Sequence, residues 1–412
     1  MRIALITSRF PDISQTFVLN QLTGLLDRGH DVTVFARAPK HGAPQHADVA
    51  DYDLVGRTRY WPVRLHELLP TLSDASLEAW LAGLRAARNL SRIDETVGRL
   101  MRPMCAVAAA QEAPFDAILC HFGNSGLLAQ WLRDVGSLHG PLAVVFHGSD
   151  ITSYVRRSGQ DVYSRLFERA ELLLPISENW RRRLIELGAP KEKIRILRMG
   201  IDGSRFEFQP RRLEPDTAVR AVTVAHLVEK KGIEVALQAV AKAAAKGLEI
   251  EYRVVGDGPQ RGPLEKLTDE LGIRQRVVFE GWREQDEVAD QLRRAHVLLA
   301  PSVTSKDGDQ EGIPVVLMEA MATGLLVLST LHSGIPELVP HPYLVVERDV
   351  DALVTRLEWL VRERERWPVI GEQLRAKVLA DFNLDRLNDQ LVELLASLPA
   401  GRDRSTLGRA TS

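Results

Sequence analysis

The chain has 412 residues and a formal net charge of −2, with 45% hydrophobic and 26% charged residues. This composition is typical of a globular protein of two or three domains, and the small net charge excludes an overall field that would attract nucleic acid. The two cysteines have no metal-type or redox-type spacing, and no run of about 18 uncharged apolar residues is present, so we expect a cytoplasmic protein without a membrane span.

The first half of the chain alternates short apolar runs with longer amphipathic segments. A strand is predicted at residues 3–7, and the helical pattern at 15–26 ends near Gly29, which suits the left-handed position after a helix. Further strands are predicted at residues 32–36, 117–121, 142–147, 172–176 and 194–197. Strands that alternate with helices predict a parallel sheet covered on both faces.

One segment interrupts this alternation. Residues 57–102 contain eight arginines and five carboxylates, together with two tryptophans and many leucines. We predict an Arg-rich helical insertion at about 57–112. It is interpreted either as an insertion with a solvated face or as a basic amphipathic surface that contacts anionic lipid or a lipid-diphosphate acceptor. The sequence leaves both interpretations open.

The alternation pauses at residues 199–217, which are rich in glycine, proline and charge and are interpreted as an interdomain linker. It restarts with a strand at 221–226 and a helix at 232–246. Later strands are predicted at 250–255, 277–280, 297–300, 325–329 and 343–346, before a helical tail at 349–398.

The predicted architecture is therefore α/β, with two doubly wound parallel sheets in tandem. The first domain is expected at residues 1–200 and the second at 201–380, and residues 381–412 are expected to pack a helix back toward the first domain and end in a frayed tail. Ligands bind at the carboxyl ends of the strands in such sheets, so we expect the active site in the cleft between the domains.

The strongest chemical signal is the segment from Glu311 to Glu319. Pro314 is suited to the first position of a helix, so the amides of Gly312 and Ile313 would lie at an open helix N-terminus that can bind phosphate. Glu319 falls in an otherwise apolar helix, where an unpaired carboxylate is costly and two ribose hydroxyls would supply donors. Glu311 would meet a sugar hydroxyl at the same end. The alternative is a helix-start Glu and a core Glu paired with arginine.

Two glutamates with seven residues between them resemble the hallmark of family-four retaining glycosyltransferases of the GT-B fold, the glycosyl transferases group 1. In that family the first Glu contacts the donor sugar and the second contacts the ribose, which implies these roles for Glu311 and Glu319. The segment Val228-Glu229-Lys230-Lys231-Gly232 resembles the element whose lysine binds the donor diphosphate, and Lys231 is the match. This chain has His226 where the family usually has a second phosphate-binding arginine, so protonated His226 or Lys231 alone would take that contact.

The loops after two further strands resemble other parts of the donor site. Gly256, in Val-Gly-Asp-Gly-Pro, ends a strand and opens a helix, but the third glycine of a dinucleotide fingerprint is missing, which disfavours a Rossmann dehydrogenase. Residues 279–283 resemble the loop that holds the nucleotide base. Trp282 or Arg283 would stack on the base there, and a merely packed tryptophan is the alternative.

The first half supplies His147 in the sequence Phe-His-Gly-Ser-Asp at the end of a strand. In the family the histidine of this His-Gly pair lies near the transferred sugar, which implies a catalytic role for His147 beside Lys231 and Glu311. Gly148 and Asp150 are then candidates for the cleft. His121, at the end of another strand, resembles the acceptor side of the same family.

The loop after the first strand occupies the place where many relatives carry a glycine-rich loop over the diphosphate. Its Phe-Pro and Ser-x-Thr-Phe elements resemble the exopolysaccharide and colanic-acid branch of the family. Arg9 is a candidate contact for phosphate or acceptor, and Ser14 and Thr16 are candidates for the acceptor side.

Metal dependence is not expected. Asp307-Gly308-Asp309 matches the Asp-x-Asp motif with which glycosyltransferases of another fold hold a divalent metal, but Lys231 and the helix amides already offer positive charge to the diphosphate. We therefore predict no metal and no other cofactor.

The resemblance implies a UDP- or GDP-sugar donor, a glycan or lipid-linked oligosaccharide acceptor, and transfer with retention of configuration. The leaving phosphate would accept the proton, although Asp150 is not excluded as a base. A peripheral contact with the inner face of the membrane follows from the second interpretation of the Arg-rich insertion. The rival hypotheses are a GT-B nucleotide-sugar 2-epimerase and a non-catalytic nucleotide- or glycan-binding protein.

Overall fold

The computed structural model describes residues 1–12, 15–39, 46–61, 76–88, 102–112 and 114–399. The chain forms two units. The first comprises Met1–Ile176, Trp180–Leu197 and Asp385–Ser412, and the second comprises Ser177–Asn179 and Arg198–Leu384. None of the described helices is long and apolar enough to cross a membrane.

The first unit is built on six parallel strands in the order β3-β2-β1-β4-β5-β6. Every residue of β4 and β5 is buried, because helices cover both faces of a doubly wound sheet. The strands are β1 Arg2–Arg9, β2 Asp31–Arg37, β3 Thr58–Tyr60, β4 Ala117–His121, β5 Leu142–Phe146 and β6 Leu172–Pro175.

The second unit repeats this plan with six parallel strands in the order β12-β11-β10-β7-β8-β9. Its central strands β10 and β11 are buried along their whole length. The strands are β7 Val219–Val224, β8 Ile250–Val255, β9 Val277–Gly281, β10 Val297–Ala300, β11 Leu326–Thr330 and β12 Leu344–Val345.

The described helices alternate with these strands along the chain. Between β1 and β7 they are α1 Thr16–Asp27, α2 Asp48–Asp51, α3 Leu77–Arg88, α4 Arg102–Ala110, α5 Gly123–Asp134, α6 Ser153–Ser158, α7 Ser164–Arg169 and α8 Glu178–Glu186. After β7 they are α9 Ile233–Ala245, α10 Arg261–Glu270, α11 Gln285–Arg294, α12 Val315–Ala322, α13 Ile335–Leu338, α14 Val350–Arg362, α15 Trp367–Asp381 and α16 Leu384–Ala396.

Both sheets have the same topology, because the order within each, counted from its own first strand, is 3-2-1-4-5-6. The strand order reverses between β1 and β4 in the first unit and between β7 and β10 in the second. Ligands of doubly wound sheets bind beside this switch point, at the carboxyl ends of the strands. The predicted α/β class with two doubly wound parallel sheets is confirmed.

Three expectations from the sequence are corrected. Residues 194–197 form no named strand, although Ile194 bridges Leu173 and the N–H groups of Arg195 and Leu197 donate to the carbonyls of Leu173 and Pro175 in β6. The stretch predicted as a helical insertion from residue 57 opens with strand β3, which pairs with β2. Residues 199–217 are predicted to link the domains but belong to the second unit; they contain a 3-10 turn and an isolated bridge between Ile201 and Asn383, and Arg211 donates to Ala295 O and Leu292 O. The predicted frayed end after residue 400 lies outside the described residues.

Gly232 allows the loops after β7 and β10 to approach each other. Its φ is +66°, and an added Cβ would lie 1.8 Å from the carbonyl oxygen of Pro301.

We expect Gly232→Ala to lower the free energy of unfolding by about 3 kcal/mol or more, since it combines left-handed strain with a backbone clash. Gly247→Ala is the control, because Gly247 has a φ of +90° but nothing within 4 Å of the added carbon. It should cost only about 1 kcal/mol in a urea titration, and equal losses in the two variants would rule out the clash.

Candidate active site

The second unit gathers charged side chains at its switch point. The loop after β7 carries Lys230 and Lys231, and the loop after β10 carries Glu311. The Nζ of Lys231 lies 3.0 Å from Glu311 Oε2, and the Nζ of Lys230 lies 3.4 Å from Glu311 Oε1 and 2.9 Å from Asp309 Oδ2. The topology therefore brings Lys231 and Glu311, which are far apart in the sequence, into direct contact.

Electrostatics keep this cluster ionised. Burial by itself would raise the pKa of Glu311, but the ammonium groups of Lys231 and Lys230 lower it to about 2. Burial by itself would lower the pKa of Lys230. The negative charges of Glu311 and Asp309 have the larger effect, so the pKa of Lys230 is raised. The site thus holds a fixed carboxylate between two cations at neutral pH.

Protein groups bind part of the Asp-x-Asp motif, and Asp309 Oδ1 is buried without a hydrogen-bond partner among the described residues. Asp309 pairs with Lys230, while Asp307 Oδ1 accepts hydrogen bonds from the Ser305 hydroxyl and the Asp309 N–H. Within the described ranges, no group of three or more His, Cys, Asp or Glu side chains is arranged to hold a metal ion. Asp307 and Asp309 therefore shape the loop that leads to Glu311.

A buried relay holds the backbone of Glu311. The Glu311 N–H donates to His332 Nε2 at 3.0 Å, and the Nδ1–H of His332 donates to Glu347 Oε1 at 2.6 Å. Glu347 Oε2 accepts the Thr304 N–H at 2.8 Å. Burial opposes ionisation of Glu347, but its hydrogen bonds from His332 and Thr304 lower its pKa. The relay links the loops after β10, β11 and β12.

Sequence patterns missed Lys230, His332 and Glu347. Lys230 is adjacent to Lys231 in the sequence, but no sequence pattern indicates that both lysines contact the same carboxylate. His332 and Glu347 follow β11 and β12, and their position at strand ends was the only available signal.

The start of α12 differs slightly from the prediction. The helix begins at Val315, and Pro314 is its N-cap with ψ at 124°, an extended value that places it before the first helical turn. In the described part of the chain, the amides of Gly312 and Ile313 have no hydrogen-bond partner. These two amides and the start of α12 can therefore donate to an anion.

Glu319 lies on α12 and is half-buried. Its carboxylate has no hydrogen bond or ion pair with any described residue, so the predicted alternative of an arginine partner is not found. Burial raises the pKa of Glu319 to about 7. A ligand that donates hydrogen bonds would relieve this unfavourable environment.

The remaining donor-site candidates lie at the ends of β7, β8 and β9. His226 is exposed and its Nδ1–H donates to Asp257 O at 2.7 Å, which leaves Nε2 toward solvent. Gly256 has a φ of +128°, and an added Cβ would lie 1.9 Å from Ala225 O, so only glycine fits this approach. The backbone after β8 therefore lies directly against the backbone after β7.

Trp282 and Arg283 follow β9 and differ in their surroundings. Trp282 is 47% exposed, so its indole face is open to a stacking partner. Arg283 is paired with Glu280 at 3.0 Å and with Glu287 at 3.3 Å. Of the two predicted base contacts, Trp282 is the more accessible.

The first unit carries the second cluster, at the ends of β4 and β5. His147 Nε2 lies 3.2 Å from His121 Nδ1, and the rings of Phe17 and Phe122 each lie 4.5 Å from the His147 ring between centroids. Phe122 has a φ of +70°, a left-handed backbone that costs a non-glycine residue about 1–3 kcal/mol and marks functional sites. This strain places an aromatic ring against His147.

Asp150 organises the backbone of this cluster. Its carboxylate accepts the N–H groups of Gly123 at 2.8 Å, Gly148 at 2.8 Å and His147 at 3.1 Å. Burial raises the pKa of Asp150, and these three amides act in the opposite direction. With its oxygens bound to backbone amides, the carboxylate is poorly placed to receive a proton from a substrate.

The loop after β1 is described only in part. Arg9 donates to Ala38 O at 2.9 Å, and Thr16 is the half-buried first residue of α1. The predicted Ser14 lies outside the described residues.

The relay behind Glu311 can be tested by its effect on stability. We expect His332→Leu to lower the free energy of unfolding by about 1–3 kcal/mol, because the Glu311 N–H loses its acceptor and Glu347 loses a donor. His332→Gln should recover part of this loss, since a carbonyl oxygen can replace Nε2 as the acceptor. Thermal unfolding at neutral pH measures both, and equal melting temperatures for His332→Leu and the wild type would contradict the relay.

Comparison with known families matches both units. Residues 204–376 match the family described as glycosyl transferases group 1, and residues 14–200 match the family described as a glycosyl transferase 4-like domain. The chain is 38% identical to WcaL of Escherichia coli (strain K12), a proposed colanic acid biosynthesis glycosyltransferase, over 97% of this chain and 100% of that protein. It is also 38% identical to the amylovoran biosynthesis glycosyltransferase AmsK of Erwinia amylovora, with the same coverage of both chains.

Solved structures match over nearly the whole length. The crystal structure of HepE from Anabaena with UDP and glucose has a TM-score of 0.72 at 17% identity and covers 97% of this chain and 100% of HepE. Sucrose-phosphate synthase from Thermosynechococcus elongatus has a TM-score of 0.72 at 19% identity, with coverage of 96% and 98%. At these identities the likeness establishes the fold, and the chain has the GT-B fold.

Proposed function

The chain belongs to the group 1 glycosyl transferases, and from that premise we propose that it is a retaining hexosyltransferase that uses a UDP- or GDP-sugar. The acceptor is a glycan or lipid-linked oligosaccharide in the biosynthesis of a cell-surface polysaccharide. The exopolysaccharide assignment is supported by the names of the relatives WcaL and AmsK. A nucleotide-sugar donor is supported by HepE, whose structures contain UDP and UDP-glucose.

One observation carries the donor site: the loops after β7 and β10, with helix α12 that follows them, present a cation, open amides and a carboxylate that has no partner among the described residues. Lys231 and the amides of Gly312 and Ile313 suit a diphosphate. Glu319 suits the paired hydroxyls of a ribose, because its carboxylate has no partner among the described residues. Exposed Trp282 suits a base, and His226 would donate to a phosphate through Nε2 when its ring is protonated.

The proposed chemistry is electrostatic. Lys231 and the amides before α12 stabilise the negative charge that develops on the leaving diphosphate. These groups are already in place before the reaction begins. The acceptor hydroxyl attacks from the face that the diphosphate leaves, which retains configuration, and the leaving phosphate takes the proton. Glu311 contacts the donor sugar rather than acting as a nucleophile, because two lysines already bind its oxygens.

The first unit is assigned to the acceptor, with His147, Arg9 and Thr16 as its proposed contacts. No metal is required in this proposal, since protein cations supply the charge. Rates in excess EDTA equal to those in excess magnesium would support this part, and a rate that depends on magnesium would overturn it.

A cytoplasmic location with peripheral membrane contact is part of the proposal. Helix α3 buries Ala79, Ala82 and Ala86 and exposes an apolar face. This face, with helical spacing, comprises Leu77, Trp80, Leu81 and Leu84. Apolar side chains of this kind on an amphipathic helix suit the interface of a membrane that presents a lipid-linked acceptor. Sedimentation with anionic vesicles, compared for the wild type and Trp80→Ser, tests the contact.

The test of the donor site is thermal stabilisation by UDP, GDP and NAD for the wild type and Glu319→Ala. A nucleotide at about 100 times its dissociation constant adds roughly 2.7 kcal/mol. Stabilisation by UDP or GDP that the variant loses supports the proposal and names the base for a donor screen. A glycoside product then identifies a transferase, an epimerised donor identifies the 2-epimerase, and binding without product identifies a binding protein. No response to either nucleotide would overturn the donor site.

A further inference from the structure

The buried histidine pair of the first unit has a direction of hydrogen bonding. His121 is fully buried, its Nδ1 lies 3.2 Å from His147 Nε2, and its Nε2 is enclosed without a hydrogen-bond partner among the described residues. Burial lowers the pKa of His121 to about 3 and that of His147 well below its ordinary value. Both rings are therefore neutral, and one proton lies in their contact.

The two possible arrangements differ in which group remains unpaired. If His147 donates, His121 must carry its own proton on Nε2, which leaves a buried N–H without an acceptor. If His121 donates from Nδ1, its Nε2 is only an unpaired lone pair. Orphaned buried N–H groups are the rarer and costlier case in proteins. The second arrangement is therefore favoured.

We propose that His121 is a positioning residue that donates its Nδ1–H to His147 and thereby fixes His147 as the Nδ1–H tautomer, a neutral hydrogen-bond donor toward an oxygen of a bound sugar. The Nδ1 of His147 has no partner within the described part of the chain and is not among the enclosed atoms. The rings of Phe17 and Phe122 limit rotation of His147. A ring held in this way cannot accept a proton through Nε2, so His147 does not act as a base through that nitrogen.

This inference rests on the proposed function only for the identity of the ligand. The tautomer is a property of the ligand-free protein and can be measured without any activity. Its failure is therefore distinguishable from a failure of the donor assignment, which nucleotide binding tests separately.

The experiment is long-range proton–nitrogen NMR of the full chain labelled with nitrogen-15 histidine at pH 7. Spectra of His121→Asn and His147→Gln assign the two rings. We expect a proton on Nδ1 of His147 and none on its Nε2. We also expect the proton of His121 on Nδ1, because His121 is the donor in the contact. A proton on Nε2 of His147, or a cationic ring at this pH, would overturn the proposal.

Variants of His121 extend the test to the ligand. The side-chain amide introduced by His121→Asn would place an N–H where Nδ1 lies, so this variant should keep the tautomer, whereas His121→Phe keeps an aromatic ring without the donor and should yield a tautomer mixture. We expect His121→Phe to lower kcat by about tenfold with little change in donor KM, and His121→Asn to rescue most of that loss. Equal kcat values for the wild type and the folded His121→Phe variant would contradict the positioning role.

UDP-glucose and GDP-mannose serve as probes of the ligand contact. Whichever of them stabilises the protein should shift the NMR signal of His147 Nδ1, and binding without a shift would overturn the contact of His147 with the ligand.

Discussion

At pH 8 the ligand-free Glu319→Gln variant is expected to be more stable than the wild-type chain by about 3 kcal/mol. Burial raises the pKa of Glu319 from 4.5 to about 7, so the folded state binds its proton more tightly than the unfolded state. The stability associated with the protonated form is present below about pH 4.5 and is lost as the pH rises through about 7. Glutamine does not titrate, so the two melting curves should coincide near pH 4.5 and separate toward pH 8.

The same substitution should weaken nucleotide binding. A carboxylate accepts from both hydroxyls of a ribose, whereas the amide of glutamine offers one acceptor and one donor. We therefore expect UDP or GDP to stabilise Glu319→Gln less than the wild type, at equal nucleotide concentration. Glu270→Gln is the control, because Glu270 is an exposed partner of Lys266 on α10. A stability difference between Glu319→Gln and wild type that did not change with pH would show that the Glu319 carboxylate is solvated or paired.

Lys231→Met is expected to lower kcat by about 10²–10³-fold, the usual effect of removing one preorganised group from a developing negative charge. Lys231 is the cation closest to Glu311, and its removal leaves only Lys230 to balance that carboxylate. Initial rates with the donor identified by thermal screening measure the effect. Lys242→Met is the matched control, since Lys242 pairs with Asp351 on the surface of the same unit.

Variants of both lysines show whether Lys231 or Lys230 contacts the diphosphate. If Lys230→Met lost activity and Lys231→Met did not, the diphosphate contact would belong to Lys230. If neither variant lost activity, the strand-end cluster would have a structural function only. Nucleotide-induced stabilisation, measured on both variants, separates a loss of binding from a loss of the chemical step.

Much of this architecture is encoded locally. The alternation of apolar runs and amphipathic helices predicts two doubly wound sheets, because the periodicity of each element depends on neighbouring residues alone. The segment from Glu311 to Glu319 can also be recognised from the sequence, because an unpaired carboxylate in an otherwise apolar helix is energetically unfavourable. The absence of a protein partner for Glu319 among the described residues agrees with that conflict.

Local residue patterns therefore predict the fold class, the strand-end loops and the family, but they do not show which side chains of different loops are in contact. The contact of Lys231 with Glu311, the relay from Glu311 through His332 to Glu347, and the pairing of His121 with His147 all join the ends of different strands. These contacts depend on strand order and on close approaches such as that of Gly232 to Pro301. Spacing along the chain carries no information about such distances, so these contacts follow only from the folded arrangement of the strands.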